Sequence, residues 1–214
     1  LFVPALAATI PSQSPVDRDS AWRLHQEMAG TSAYKGMSWR PIGPRLQGGR
    51  IEAIAVHPSK PHTIYVGPGS GNIWKTENNG TSWIPIFENE STFTIGDIAI
   101  APSNPDILWV GTGETQPRHS GYSFAGTGVF VSRDAGRTWK NTGLAETHHI
   151  GKVLIHPTNP DIVYVGAIGH FWSNNPERGV YKTTDGGKTW NKTLFISDAT
   201  GVVDIAMHPS NPDT

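Results

Sequence analysis

The chain has 214 residues, a formal net charge of −1 and 16% charged residues. That is the size of one globular unit or part of one, and the near-neutral balance excludes the basic footprint of a general nucleic-acid binder. The absence of cysteine excludes disulfides and Cys-ligated zinc, and no stretch reaches the ~18 consecutive apolar residues that a membrane-spanning helix needs.

The first residues, Leu1-Phe2-Val3-Pro4-Ala5-Leu6-Ala7-Ala8, are apolar and end in Ala-x-Ala. They read as the tail of a signal peptide followed by a Pro/Ser-rich linker, together residues 1–16, and imply a secreted or periplasmic location. Residues 17–36 form a short helical segment in this reading. Asp17 or Asp19 caps a helix through Ala21–Met28, and Gly30 suits its end. Trp22 and Leu24 are its docking contacts.

From residue 37 the chain repeats. Ser132-Arg133-Asp134-Ala135-Gly136-Arg137-Thr138-Trp139 returns as Thr183-Thr184-Asp185-Gly186-Gly187-Lys188-Thr189-Trp190, and earlier, with Asn for Asp, as Thr76-Glu77-Asn78-Asn79-Gly80-Thr81-Ser82-Trp83. The tryptophans lie 56 and 51 residues apart, and a period near 50 marks a solenoid or propeller. Each position in the motif has a structural use. The Asp or Asn side chain accepts hydrogen bonds from backbone N–H groups two residues on. The Gly supplies a positive-φ position, and the Trp opens the next strand with a large apolar ring. Thr76, Asn78, Gly80, Trp83, Ser132, Asp134, Gly136, Trp139, Thr183, Asp185, Gly187 and Trp190 are therefore read as turn fasteners and not as catalytic groups.

Around each motif lie short runs rich in Val, Ile, Tyr, Phe and Trp, bounded by Gly or Pro, which read as strands. Four strands per repeat at this period make a propeller blade. The expected blades are about 48–88, 95–142 and 149–195, with the next beginning at 201. Residues 37–42 match the end of the first motif and its following strand, and read as an outer strand lent to another blade. The chain stops inside His208-Pro209-Ser210-Asn211-Pro212-Asp213, where earlier repeats start a strand. The expectation is thus an all-β fold: a partial, truncated propeller of about three four-stranded blades plus a strand of a fourth, with a short N-terminal helix. Residues 37–214 are then the N-terminal arc, with further blades of a longer chain as its partners.

These motifs resemble the BNR or Asp-box β-propellers, closest to bacterial sortilin/Vps-ten-like proteins named "glycosyl hydrolase, BNR repeat". The segments that carry the likeness include Trp39-Arg40-Pro41-Ile42-Gly43-Pro44, Trp109-Val110-Gly111-Thr112-Gly113-Glu114, Glu146-Thr147-His148-His149-Ile150-Gly151 and the run from Gly179 to Trp190. The resemblance is specific for fold and implies a glycan or peptide ligand, or a part in glycoside hydrolysis. Fold alone does not carry activity.

In a meander of four strands, the first-to-second and third-to-fourth turns share one face. The second-to-third turns and the crossings between blades share the other. The first face carries the repeated motif and the His57, His156 and His208 turns, read as structural. The second carries the irregular insertions, where functional residues gather. Candidate ligand-binding residues there are Arg50, Glu114, Arg118, His119, His148, His149, His170, Trp172 and Arg178; Arg45, Gln47, Glu88, Glu90, Glu146 and Asp198 add to the crossings. The competing reading makes Glu114–Arg118 and Glu177–Arg178 loop-bracing ion pairs, and His148-His149 a solvated crossing. With Glu146 beside them a metal site is a further, weaker alternative; no metal or cofactor is assigned.

Glycoside hydrolysis needs two facing carboxyl groups. The stretch holds no complete pair, and Glu114 is the local acid/base candidate. Arg50-Ile51-Glu52 lacks the proline of a sialidase-like segment, and Gly67-Pro68-Gly69-Ser70-Gly71 replaces the Asp-bearing hairpin of a xyloglucanase-like blade. The favoured function is a secreted propeller that binds a glycan or peptide on its crossing-loop face. The alternatives are part of a BNR-type glycoside hydrolase and a protein-assembly scaffold.

Overall fold

The computed structural model describes residues 18–37, 49–117, 123–208 and 211–212. The signal-like start, the linker, residues 38–42 of the lent strand and the candidates Arg118 and His119, with Arg45 and Gln47, lie outside the described residues. The chain divides into two compact units, residues 1–42 and 43–214.

The described residues of the first unit contain one helix, α1, Arg18–Thr31. It runs past Gly30, because the Thr31 hydroxyl donates back to the Glu27 carbonyl at 3.0 Å and caps the last turn in place of a glycine. Trp22 stacks on His25 within the helix, at 5.1 Å between ring centroids. Leu24 and Met28 are exposed. No helix among the described residues is long and apolar enough to cross a membrane.

The second unit is built from three four-stranded antiparallel sheets in succession. The first comprises β1 (Ile51–Val56), β2 (Ile64–Pro68), β3 (Trp74–Thr76) and β4 (Ile84–Pro85). The second comprises β5 (Ile95–Ile100), β6 (Leu108–Thr112), β7 (Val129–Ser132) and β8 (Lys140–Asn141). The third comprises β9 (Ile150–Ile155), β10 (Val163–Ala167), β11 (Gly179–Thr183) and β12 (Asn191–Leu194). In each, every strand pairs with its chain neighbour, and the pairing of first with second strand carries a bulge near the start of the first. This is the blade arrangement of a β-propeller. β1 lies beside β5, and β5 beside β9.

The cores sit between sheets. One joins Tyr65, Phe87, Ile95, Ile98, Val110 and Phe130 across the first pair of blades; the other joins Trp109, Val131, Ile150, Val153 and Val165 across the second. Contact is close because the second strand carries a glycine where the next blade's first strand arrives. A Cβ at Gly111 would collide with the Ile150 side chain; Gly67 stands in the same relation to Ile95 and Ile98, and Gly166 to Val202 and Ile205. Residues 202–205 thus occupy the place of a next first strand, and Val202 N–H donates to the Ala167 carbonyl at 3.0 Å. They are not a strand, contrary to expectation, since no antiparallel partner stands beside them among the described residues.

The repeated turn closes through two side chains. Ser132 Oγ donates to Asp134 Oδ1 at 2.8 Å and accepts from Gly136 N–H at 2.8 Å. Asp134 then accepts from Thr138 N–H at 2.9 Å and from Thr138 Oγ1 at 2.6 Å. The reach of the carboxylate is therefore four residues forward, not the two expected, and the leading hydroxyl binds the glycine. Thr183, Asp185, Gly187 and Thr189 repeat the pattern, and Thr76, Asn78, Gly80 and Ser82 repeat it with an amide oxygen. These bonds hold the Asp134 and Asp185 carboxyls below the ordinary range; for Asp134 they outweigh burial, which pushes the other way.

Each turn is also tied to the first turn of its own blade: Asn79 N–H to the His62 carbonyl, Ala135 to Asp106 and Gly186 to Asp161, at 2.8–3.1 Å. His57 Nδ1 accepts from Ser59 and Lys60 N–H within that first turn. Both turn types therefore share one face. The tryptophans leave it sideways. Trp139 Nε1–H donates to the Ile86 carbonyl of the preceding blade at 2.6 Å, and Trp190 Nε1–H to that of Thr142 at 2.8 Å.

Two substitutions test these joints. Gly111→Ala should destabilise the protein by about 2 kcal/mol through overpacking against Ile150, read as a lower urea midpoint at unchanged slope. Asp134→Ala removes a turn acceptor with three donors and should cost about 1–2 kcal/mol; an unchanged melting temperature would remove the turn from the fold's supports.

Candidate functional site

The face opposite the repeated turns is assembled from the β2–β3, β6–β7 and β10–β11 loops and from the crossings between blades. Backbone bonds lock these segments together. Asn72 N–H donates to the Phe93 carbonyl, Gly126 N–H to that of His148, and Asn175 N–H to that of Asp198, at 2.7–3.0 Å. Loop and crossing are thus held in one layer, so side chains far apart in sequence meet.

Arg50 is one centre of this layer. It stands just before β1, its Nε 2.5 Å from Glu52 Oε1 and its other end paired with Glu114. Thr115 Oγ1 donates to the second Glu52 oxygen. Burial works against the guanidinium charge, but the bonds and charges of Glu52 and Glu114 prevail and raise its pKa further. The Glu114 side chain is 1% exposed. It reads as a brace between the first and second blades and offers no surface to a substrate, as a proton donor in hydrolysis must. Glu52, outside the set of sequence candidates, is the third member.

His149 is not a solvated crossing residue. It is 4% exposed, its Nδ1 lies 2.8 Å from the Glu114 carbonyl, and its ring stacks on Phe171 at 3.9 Å. Arg178 is equally committed. Its guanidinium donates to the carbonyls of Ile168, His170 and Ser173 at 2.5–3.1 Å. It is the carbonyls, and not Glu177, that it braces; Glu177 accepts from Asn175 Nδ2 at 2.9 Å.

Among the described residues of this face that are open to solvent are several aromatic rings. Trp172 is 68% exposed and stands edge-on to Phe171, at 6.4 Å between centroids. Phe93, on the crossing between the first two blades, and Phe124, on the β6–β7 loop, form a second pair at 5.4 Å, both nearly half exposed. Phe93 is outside the set of sequence candidates; a Phe between Thr92 and Thr94 carries no signal until the loops are folded. His148 and His170 stack at 3.6 Å. With Glu146 they form a group whose ligand atoms lie within 4.8 Å of one another.

Glu90 stands three residues before Phe93, half-buried. Burial alone pushes its carboxyl up to about 7. The unfolded chain ionises this group near pH ~4.3, so the folded state binds the extra proton between that pH and about 7. Stability is therefore lost as pH rises through this window. Glu90→Gln should stabilise the protein by about 1 kcal/mol near pH 8, discounted for half-exposure, and by nothing near pH 4. Parallel urea unfolding at the two pH values checks the sign.

Among known proteins, a family profile described as "Sortilin, neurotensin receptor 3" matches residues 127–214. An ancestral GH74 enzyme is 28% identical, with 70% of this chain and 19% of that chain covered and a TM-score of 0.53. The GH74 enzyme from Niastella koreensis is 22% identical, covering 74% and 24%, at a TM-score of 0.54. The GH74 xyloglucanase from Xanthomonas campestris is 18% identical, covering 71% and 22%, at 0.52. The chain thus spans less than a quarter of the length of each of these structures. No curated protein matches it.

Proposed function

We propose that this chain, a propeller of the sortilin-like BNR type, is the recognition part of a secreted or periplasmic protein, and that it binds a glycan on its crossing-loop face. The observation that carries this is the pair of open aromatic platforms, Phe93–Phe124 and Phe171–Trp172, on a face otherwise braced by buried polar contacts. The apolar face of a sugar ring stacks on such rings, while polar groups beside them fix its orientation. Glu90 and His170 stand next to the two platforms in sequence and are partly open.

A peptide with aromatic or proline side chains would use the same rings, and is the alternative ligand. The likeness to an ancestral GH74 enzyme favours a second reading, that the whole protein hydrolyses its glycan. In that case the acid/base pair is not Glu114, which is buried against Arg50.

The test is a glycan array probed with the protein, followed by calorimetry on the best hits and by chromogenic glycosides. Binding without turnover is expected. Trp172→Ala should weaken binding about 3- to 10-fold at unchanged melting temperature. Turnover retained in Glu114→Gln would establish the second reading. A blank array with tight binding to a peptide library would replace the glycan by a peptide.

A further inference from the structure

The crossing from β8 to β9 has an unusual course. A single 3-10 turn, Ala145–Thr147, is bracketed by Leu144 at φ 61 and His148 at φ 56, ψ −48. Residues with side chains rarely enter positive φ, and such positions cluster where geometry serves a site. Here the bend turns His148 onto His170 of the β10–β11 loop, ring on ring at 3.6 Å and 18° between planes. Glu146 projects from the same turn and is exposed.

The protonation of His170 can be read from its partners. Nε2 lies 3.1 Å from the Glu146 carbonyl oxygen. A carbonyl only accepts, so Nε2 carries the hydrogen and the lone pair is on Nδ1. That nitrogen faces Ser173 Oγ at 3.3 Å, long for an O–H···N bond. An imidazole whose one N–H is fixed on a backbone carbonyl, with the other nitrogen basic and only loosely engaged, is the arrangement in which metal-binding histidines are held.

We propose that Glu146, His148 and His170 form a binding site for a divalent transition ion of the zinc class. Two neutral imidazoles and one carboxylate suit zinc, nickel or copper and leave a coordination position open; calcium and magnesium want oxygen ligands. The ligand atoms, now within 4.8 Å of one another, must close to about 3.4 Å to share an ion at tetrahedral bond lengths. Parallel stacked rings point their lone pairs side by side, so His148 has to swing out of the stack as the ion enters. It is only partly buried. His149 stays out of the set, buried with its ring against Phe171.

The experiment is calorimetric titration of the metal-stripped protein with zinc chloride, repeated with nickel and with magnesium. About one equivalent of zinc should bind with micromolar affinity, and magnesium should not compete. His170→Gln and His148→Gln should each weaken zinc binding at least about tenfold, and Glu146→Gln several-fold. Unchanged circular-dichroism melts of the metal-free variants separate loss of ligand from loss of fold. His156→Gln, on the opposite face, should bind as the parent does. No heat up to about 100 µM zinc, binding that survives both His148→Gln and His170→Gln, or equal loss in His156→Gln would overturn the site.

Discussion

The joint on which this architecture depends is the indole hydrogen bond that crosses from one blade to the one before it. Trp139 and Trp190 each donate Nε1–H to a backbone carbonyl three residues beyond the preceding motif's tryptophan, Ile86 and Thr142. The indole ring packs between the sheets while its one polar atom finds a partner there, so a large side chain is half-buried without an orphaned donor. Trp139 meets Phe87 edge-to-face at 5.2 Å, and Trp190 meets Trp109 at 6.1 Å. The turn that precedes each tryptophan fixes where its strand begins. A turn of different length would move the ring and lose both the packing and the bond.

This joint also sorts the two faces. The turns on one face are short, closed on their own hydroxyl and carboxylate groups, and tied to the neighbouring turn of the same blade. Their leading hydroxyl and their Asp or Asn group are engaged within the turn itself. Length variation is therefore pushed to the other face, where the β6–β7 and β10–β11 loops are long. Those loops need bracing of their own, and much of the charge in them is consumed by it: Arg50 between Glu52 and Glu114, and Arg178 among three carbonyls. Apart from the braces, the described residues of this face offer a ligand a set of rings, the half-buried Glu90, and the stacked histidine pair with Glu146 beside it.

The blades were legible in the sequence because every step of the repeat is local. A hydroxyl, an Asp or Asn, a Gly and a Trp at fixed offsets define a turn and the strand after it, and alternating branched residues define the rest. The face on which each loop lies followed from strand parity alone. Partners across blades were not legible. Nothing in the spacing of Arg50 and Glu114 says that they touch, since their meeting depends on the bulge in the first blade and on the bend of a loop in the second. The same holds for His148 and His170, which come together only because the crossing takes two positive-φ residues that no sequence rule assigns to Leu and His. The helix end at Thr31 was misjudged for a smaller reason: a hydroxyl back-bond replaced the expected glycine.

The repeat also explains the apolar surface on β1. Ile54 is 63% exposed, whereas its counterparts Ile98 and Val153 are 6% and 1% exposed. Ile51 stands in the same contrast to Ile95 and Ile150, and Trp83 is more open than Trp139 or Trp190. All three are positions whose equivalents meet the preceding sheet, the isoleucines against its glycine and the tryptophan at its outer strand. No preceding sheet covers β1 among the described residues. Their exposure is thus a property of position in the series and not of composition, as expected where each repeat buries its apolar face only against its neighbours. Among the described residues the first blade packs against the second, while the second is packed on both sides.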